Sequence, residues 1–469
     1  MTSPHHEPYF RTASETAGAV RSGSVSATEA TQAALSRVSA LNDALRAFIT
    51  IDEEGALKAA RAVDEARAAG RDAGILAGVP VAIKDLAATK GLRTTYGSLV
   101  YADHVPDEDE LVVARLRAQG AIVIGKTNTP EFGYGAICEN KLYGPTCNPF
   151  DVTRTSGGSS GGSAVAVATG MTALGHATDF GGSARVPASF CGVYGIRPTV
   201  GLIPSVPKQL LWDGLNQHGF LARTPGDVAL ALAATAGPDR RDPLSLRGAP
   251  FAPALESQAP DELRVGVSAS LGITPVDSSV LELFETAIGK IAGIWRETRP
   301  GHPDCSEAKA AFGGLRAGFL HRTLGPVVAA HRDKLTRTVI WNVERGHGMS
   351  ADDYLGAEEA RSRLYLNFMR FFETHDILAT VTTTLPPFPN DQSDVLYVNG
   401  EKLENIIDYL SVTFTISTIG FPALSVPIGL TREGLPVGMQ LVAPPWREDL
   451  LLAVAERLRV EAGMEPIRP

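Results

Sequence analysis

Two glycine–serine clusters enclose one short helix and one short strand, and this arrangement limits the fold more than any other feature of the chain. The first cluster reads Gly157-Gly158-Ser159-Ser160-Gly161-Gly162-Ser163, and the second reads Thr178-Asp179-Phe180-Gly181-Gly182-Ser183-Ala184-Arg185. Between them, Ser163 to Thr169 has the small apolar side chains of a buried helix, stopped by Gly170. Ala173 to Ala177 then reads as a strand. A helix and a strand joined by tight turns pack as neighbouring layers, which favours an α/β sheet. Apolar segments on both sides make a flexible linker improbable.

The alternation continues along the chain. Ser26-Ala27-Thr28-Glu29 has the form of a capping box that opens a helix toward Phe48, with Ala30, Leu35, Val38 and Leu41 on its apolar face. Gly55 to Gly70 reads as a second helix. Gly78 to Ile83 is a short apolar strand ending in Lys84-Asp85. Asp107 is the expected N-cap of a helix to Gln119, with Glu110 three residues on and Gly120 past the end; Ala121 to Ile124 is then a buried strand.

Gly237 to Pro260 reads as a surface connection and Leu263 to Val267 as a strand. Strands resume at Ile377 to Thr382, Ala423 to Ile428 and Pro436 to Val442, and Glu448 to Val460 closes with an amphipathic helix. The expected organisation is an N-terminal helical segment, 1–65, and one α/β domain, 66–469, with a mainly helical insertion at about 276–374.

A chain of 469 residues that is 44% hydrophobic can bury an ample core. Its net charge of −9, without a basic patch, argues against nucleic acid and anionic membranes as partners. No stretch approaches the roughly 18 apolar residues of a spanning helix. Met1 to Phe10 lacks a charged region followed by an apolar one, so a cytoplasmic protein is expected. The four cysteines (Cys138, Cys147, Cys191, Cys305) have no metal-ligand spacing and read as reduced thiols; no metal or cofactor is expected.

Two motif matches fail on context. Gly120 to Thr127 satisfies the phosphate-loop pattern, but its middle residues are apolar and mostly β-branched, and Pro130 follows where a helix should open. Gly157 to Gly161 fits G-x-S-x-G, but Asn148 to Ser156 is polar and contains Pro149, so the strand that feeds a nucleophile elbow is missing. The histidines are scattered, and His176 reads as a packed residue rather than a base.

What remains is a serine activated by a lysine. A serine hydroxyl needs a base within hydrogen-bond reach. A lysine can serve only when neutral, and lowering its pKa from ~10.4 to ~7 costs about 4–5 kcal/mol. Lys84 follows Val81, Ala82 and Ile83, so apolar surroundings are expected for it. Gly181 and Gly182 clear side chains from the backbone before Ser183, so the N–H groups of Phe180 to Ser183 can face a substrate oxygen.

At these residues the chain resembles the amidase signature family, over nearly its whole length. The resemblance is carried by Gly78 to Lys84, Gly120 to Phe132, Gly144 to Asp151, Gly157 to Gly162, Asp179 to Pro187, Cys191 to Thr199 and Phe421 to Gln440. It implies a mixed, largely sequential β-sheet covered by helices on both faces. It implies Lys84 as general base, Ser159 as a bridging serine after a cis peptide bond from Gly158, and Ser183 as nucleophile. Phe180, Gly181, Gly182 and Ser183 would supply oxyanion N–H groups. Ser160 and Thr178 would be supporting hydroxyls, and Asp179 and Arg185 a pair that holds the loop.

By position, Gly133, Tyr134, Phe180 and Ile137 are expected to line the acyl pocket. Tyr134, Trp212, Trp341 and Phe388 are candidate walls, and the insertion and the loop Leu385 to Asn399 are expected to shape the entrance. Ala184 and Phe180 depart from commoner family residues without removing a catalytic atom.

The implied function is hydrolysis of the C–N bond of a small, mostly apolar or aryl amide, with esters or carbamates as further substrates, through a Ser–Ser–Lys acyl-enzyme. An uncharged substrate is expected. The first alternative is the glutamine-hydrolysing subunit of a tRNA-dependent amidotransferase. Such subunits carry an acidic residue shortly before the segment matching Phe421-Pro422-Ala423, where Leu410 stands here, and Val412 to Ile419 offers only hydroxyls and apolar groups. A catalytically silent binding protein is the alternative of another class, disfavoured because all three catalytic positions are filled. A homodimer remains open.

Overall fold

In the computed structural model, which describes residues 8–247, 261–392 and 394–469, the apolar runs line up in one eleven-stranded sheet. Its strands are β1 (Phe48–Ile51), β2 (Pro80–Lys84), β3 (Ile122–Thr127), β4 (Leu174–Asp179), β5 (Tyr194–Arg197), β6 (Gln217–Ala222), β7 (Arg264–Val267), β8 (Glu297–Pro300), β9 (Ile377–Val381), β12 (Ala423–Leu430) and β13 (Pro436–Val442). Two short strands, β10 (Tyr397–Val398) and β11 (Glu401–Lys402), pair apart from it.

The order across the sheet is β1-β3-β2-β4-β6-β5-β12-β13-β9-β7-β8. Strands β3, β2 and β4 run parallel, as do β9, β7 and β8, and antiparallel pairings connect the two groups.

Alternate residues of β2 enter different cores, so both faces of the sheet are covered. Val81 and Ile83 pack with residues of α4 (Leu111–Ala118), α7 (Pro225–Thr235) and α13 (Glu448–Glu461). Ala82 packs on the other side with α2 (Ala27–Leu45), α3 (Glu53–Ala68) and α5 (Gly161–Ala168). The remaining helices are α1 (Ala13–Ser22), α6 (Arg185–Phe190), α8 (Ser278–Ile291), α9 (Ala308–His331), α10 (Arg337–Glu344), α11 (Ala351–Phe371) and α12 (Ser411–Ile419).

The capping box forms as read: Ser26 Oγ accepts from the Glu29 N–H, and Glu29 accepts from the Ser26 N–H. Asp107 does not cap α4, which begins at Leu111. The chain before it is pinned elsewhere: the Glu110 N–H donates to Ala88 O, and Asp109 accepts from the Lys90 N–H and from Arg117. Strand β3 runs on through Lys126 and Thr127, because these residues pair with both β1 and β2.

The mainly helical insertion contains one strand, β8, parallel to β7. Its Glu-Thr-Arg-Pro sequence lies half-exposed at the sheet edge and gives no apolar signal. Residues 248–260 of the Pro- and Arg-rich connection lie outside the described residues. The four cysteines are free thiols. Among the described residues, no helix is long and apolar enough to cross a membrane.

This topology brings the serine clusters together. Parallel neighbours β2 and β4 end in Lys84 and Asp179, and the two clusters lead directly into α5 and α6.

Candidate active site

Lys84 is fully buried, and its Nζ meets three hydroxyls: Ser159 Oγ at 2.6 Å, Thr178 Oγ1 at 2.8 Å and Ser160 Oγ at 2.9 Å. No carboxylate among the described residues lies within ion-pair distance of it. Burial draws its pKa from 10.5 down to about 7, although the charge of Asp179 acts in the opposite sense. A neutral amine is thus accessible at physiological pH.

Ser159 follows a cis peptide bond from Gly158, and a Cβ at position 158 would come within 2.2 Å of Gly135 O. The two clusters are joined through the backbone, since the Ser160 N–H donates to Ser183 O (3.1 Å). The other buried lysine of the parallel strands, Lys126, donates to Ala87 O and Thr89 Oγ1 and takes no part in this cluster. His176 is buried against His218, with its pKa held well below 6.5 by burial.

The second cluster is held by a buried ionic network. Asp179 accepts from Arg185 Nη2 (2.8 Å) and Nε (3.0 Å), and Arg197 Nη1 lies 3.5 Å from its Oδ1 and donates to its main-chain oxygen. Arg185 reaches on to Thr413 O, Ser417 Oγ and Gln440 Oε1, which ties the loop to α12 and β13. Facing guanidinium groups hold the Asp179 carboxyl far below its usual range, even though burial alone would raise it.

One expected role changes. The Gly182 N–H donates to Asp179 Oδ1 (2.9 Å), so it is occupied in holding the loop rather than free as an oxyanion donor. Among the described residues, no acceptor takes the N–H groups of Phe180, Gly181 or Ser183. Gly182 has φ +130, and a Cβ there would lie 2.5 Å from Thr413 Oγ1, so position 182 tolerates no side chain.

Asp179→Asn should cost about 3–5 kcal/mol, because two buried guanidinium groups would lose their counter-charge. An unchanged denaturation midpoint would exclude the network as the support of the loop. The sign with pH follows from a lowered carboxyl pKa: this contribution is present above about pH 4 and is lost as the pH falls further.

Ser183 is partly exposed and opens onto a narrow pocket of about 60 Å³. Gly133, Tyr134 and Phe180 line it as expected, with Tyr134 edge-on to Phe180 at 5.8 Å. Phe312 and Arg316 come from α9, Thr338 and Asn342 from α10, and Ile406, Ile407 and Leu410 from the segment before α12.

Other expected wall residues lie elsewhere. Ile137 and Phe388 are buried together in a neighbouring cluster with Val186 and Phe190. Trp212 is 76% exposed and borders a separate groove. Trp341 packs against Arg345, while its neighbour Asn342 faces the pocket. The loop Leu385 to Asn399 contributes no lining residue among those described; residues 406–410 do so instead.

Arg316 in the pocket wall was not among the expected site residues; its sequence context looks like any helix-surface arginine. Arg197 and Gln440 were also unassigned, although both lie in stretches that carry the family resemblance.

Comparisons with known proteins place nearly the whole chain in one family. The Amidase family pattern matches residues 29–452. The chain is 34% identical to an acylamidase of Rhodococcus erythropolis, with 98% of this chain and 96% of that protein covered. It is 36% identical to a glutamyl-tRNA(Gln) amidotransferase subunit from Salinispora arenicola, covering 97% and 98% respectively. A bacterial aryl acylamidase of the amidase signature family superposes with a TM-score of 0.90 at 25% identity, with full coverage of both chains.

Proposed function

The chain belongs to the amidase signature family, and on that premise we propose that it cleaves the C–N bond of a small, mostly apolar or aryl amide through an acyl-enzyme on Ser183. The observation that carries this reading is the fully buried Lys84, bonded to three hydroxyls and, among the described residues, to no carboxylate, beside a serine that opens onto a pocket.

In this reading neutral Lys84 takes the proton of Ser159 while Ser159 takes that of Ser183, whose Oγ bonds to the substrate carbonyl carbon. The N–H groups of Phe180, Gly181 and Ser183 stabilise the oxyanion. The proton held by Lys84 returns through Ser159 to the leaving nitrogen as the C–N bond breaks. Water then attacks the ester, loses a proton to the same relay, and restores the Ser183 hydroxyl as the acid departs. Ester and carbamate carbonyls fit the same steps.

The 36% identity to an amidotransferase subunit keeps glutamine hydrolysis as a second reading. Against it stands the pocket: Leu410, Ile406 and Ile407 occupy the wall, and among the described residues no carboxylate lines it to hold an ammonium group.

Labelling with a fluorophosphonate tests the assignment. Peptide mapping is expected to find a single adduct on Ser183; modification of a different serine would overturn its role as nucleophile.

A further inference from the structure

We propose that Arg316 is a carboxylate-recognition residue, so that the substrate amide has a largely apolar body ending in one anionic group. This rests on the amide-hydrolase reading and narrows its substrate class.

Arg316 is 8% exposed and shares the pocket with Ser183. It donates to Asn342 Oδ1, and its guanidinium lies 5.5 Å from the centre of the Tyr134 ring. The Asn342 amide is fixed in that orientation because its Nδ2 donates to Thr338 O (2.8 Å). No carboxylate among the described residues approaches within ion-pair distance of Arg316.

The other arginines buried to this degree make more bonds, although Arg197 Nε has no partner. Arg185 and Arg197 share Asp179 and several main-chain or side-chain oxygens. Arg223 donates to the main-chain oxygens of Val167, Thr172 and Arg11. Arg316 makes one such bond. A buried cation with unused donors is costly unless a partner arrives, and the pocket is the side from which one can come.

A guanidinium fork fits a carboxylate with two parallel hydrogen bonds. Burial lowers the Arg316 pKa only to about 10, so the group remains cationic at neutral pH. Phe180, Phe312, Ile406 and Leu410 supply the apolar remainder of the wall. The nearby buried Asp408 does not line the pocket and lies 3.6 Å from Lys309. An ammonium group therefore finds no partner there, which separates this substrate class from free amino acids.

The test compares the monoamides of succinic, glutaric and adipic acid with butyramide, valeramide and hexanamide, and with 6-aminohexanamide. At least one diacid monoamide should exceed its neutral counterpart by about tenfold or more in kcat/KM, and the amino amide should be poorest. In Arg316→Met the ratio of acidic to neutral substrate should fall by about the same factor, and Arg316→Lys should retain part of it. A preference for neutral amides in the unmodified enzyme, or an unchanged ratio in Arg316→Met, would overturn the proposal.

A second readout needs no turnover. Glutarate should slow fluorophosphonate labelling of Ser183 in the unmodified enzyme more than valeramide does, and should lose that advantage in Arg316→Met. Equal protection by both compounds rejects the carboxylate site. Absence of any labelling at Ser183 rejects the hydrolase reading instead.

Discussion

Ser183→Ala is expected to lower kcat for amide hydrolysis by about 10⁴-fold or more, with little change in KM. Nothing else in the pocket replaces its nucleophile. Ser159 is 2% exposed and committed to Lys84, and the lining hydroxyl groups of Thr338 and Tyr409 belong to other elements. The variant should keep its fold, since loss of one partly exposed hydroxyl leaves the Asp179 network intact. It should also be blind to fluorophosphonates. Adding Ser159→Ala should cost little more, because residues acting as one relay are strongly non-additive. Turnover above about one per cent of the parent rate would place the nucleophile elsewhere.

Lys84→Ala is expected to lower kcat/KM by about 10²–10⁴-fold, the range of a lost general base. The pH profile separates this from simple damage. With its pKa brought down to about 7 by burial, Lys84 gains its neutral form as the pH rises through that value. The parent enzyme should therefore gain kcat/KM up to about pH 7 and then level off. In Lys84→Ala that acid limb should vanish, leaving a flat, low rate near neutrality. An acid limb that survives the substitution would assign the titration to another group.

Much of this site is legible in the sequence because its chemistry is concentrated in short contiguous stretches. Lys84 at the end of an apolar strand and the hydroxyls of the two serine clusters meet as their types suggest, and Tyr134 and Phe180 reach the pocket. Arg316 and Asn342 were not legible, because they meet only through the packing of α9 against α10. The direction of the Gly182 N–H was hidden for a related reason: it is set by Asp179, which is itself positioned by two arginines from different segments. Strand β8 escaped notice because an edge strand can be polar, and Asp107 misled because the bonds of Asp109 and Glu110 outweighed its capping preference.

The Gln440 contact with Arg185 has a consequence for the order of synthesis. Every oxygen that anchors Arg185 outside its own loop comes from Thr413, Ser417 or Gln440, 228 to 255 residues downstream. While a ribosome is still making α12 and β13, Lys84 and both serine clusters have already been made, yet the loop that presents Ser183 lacks these bonds. The Ser183 loop therefore gains its full set of bonds only after Gln440 has been made. A cut that removes the segment from Pro436 onward would take Gln440 from Arg185 without touching Lys84, Ser159 or Ser183.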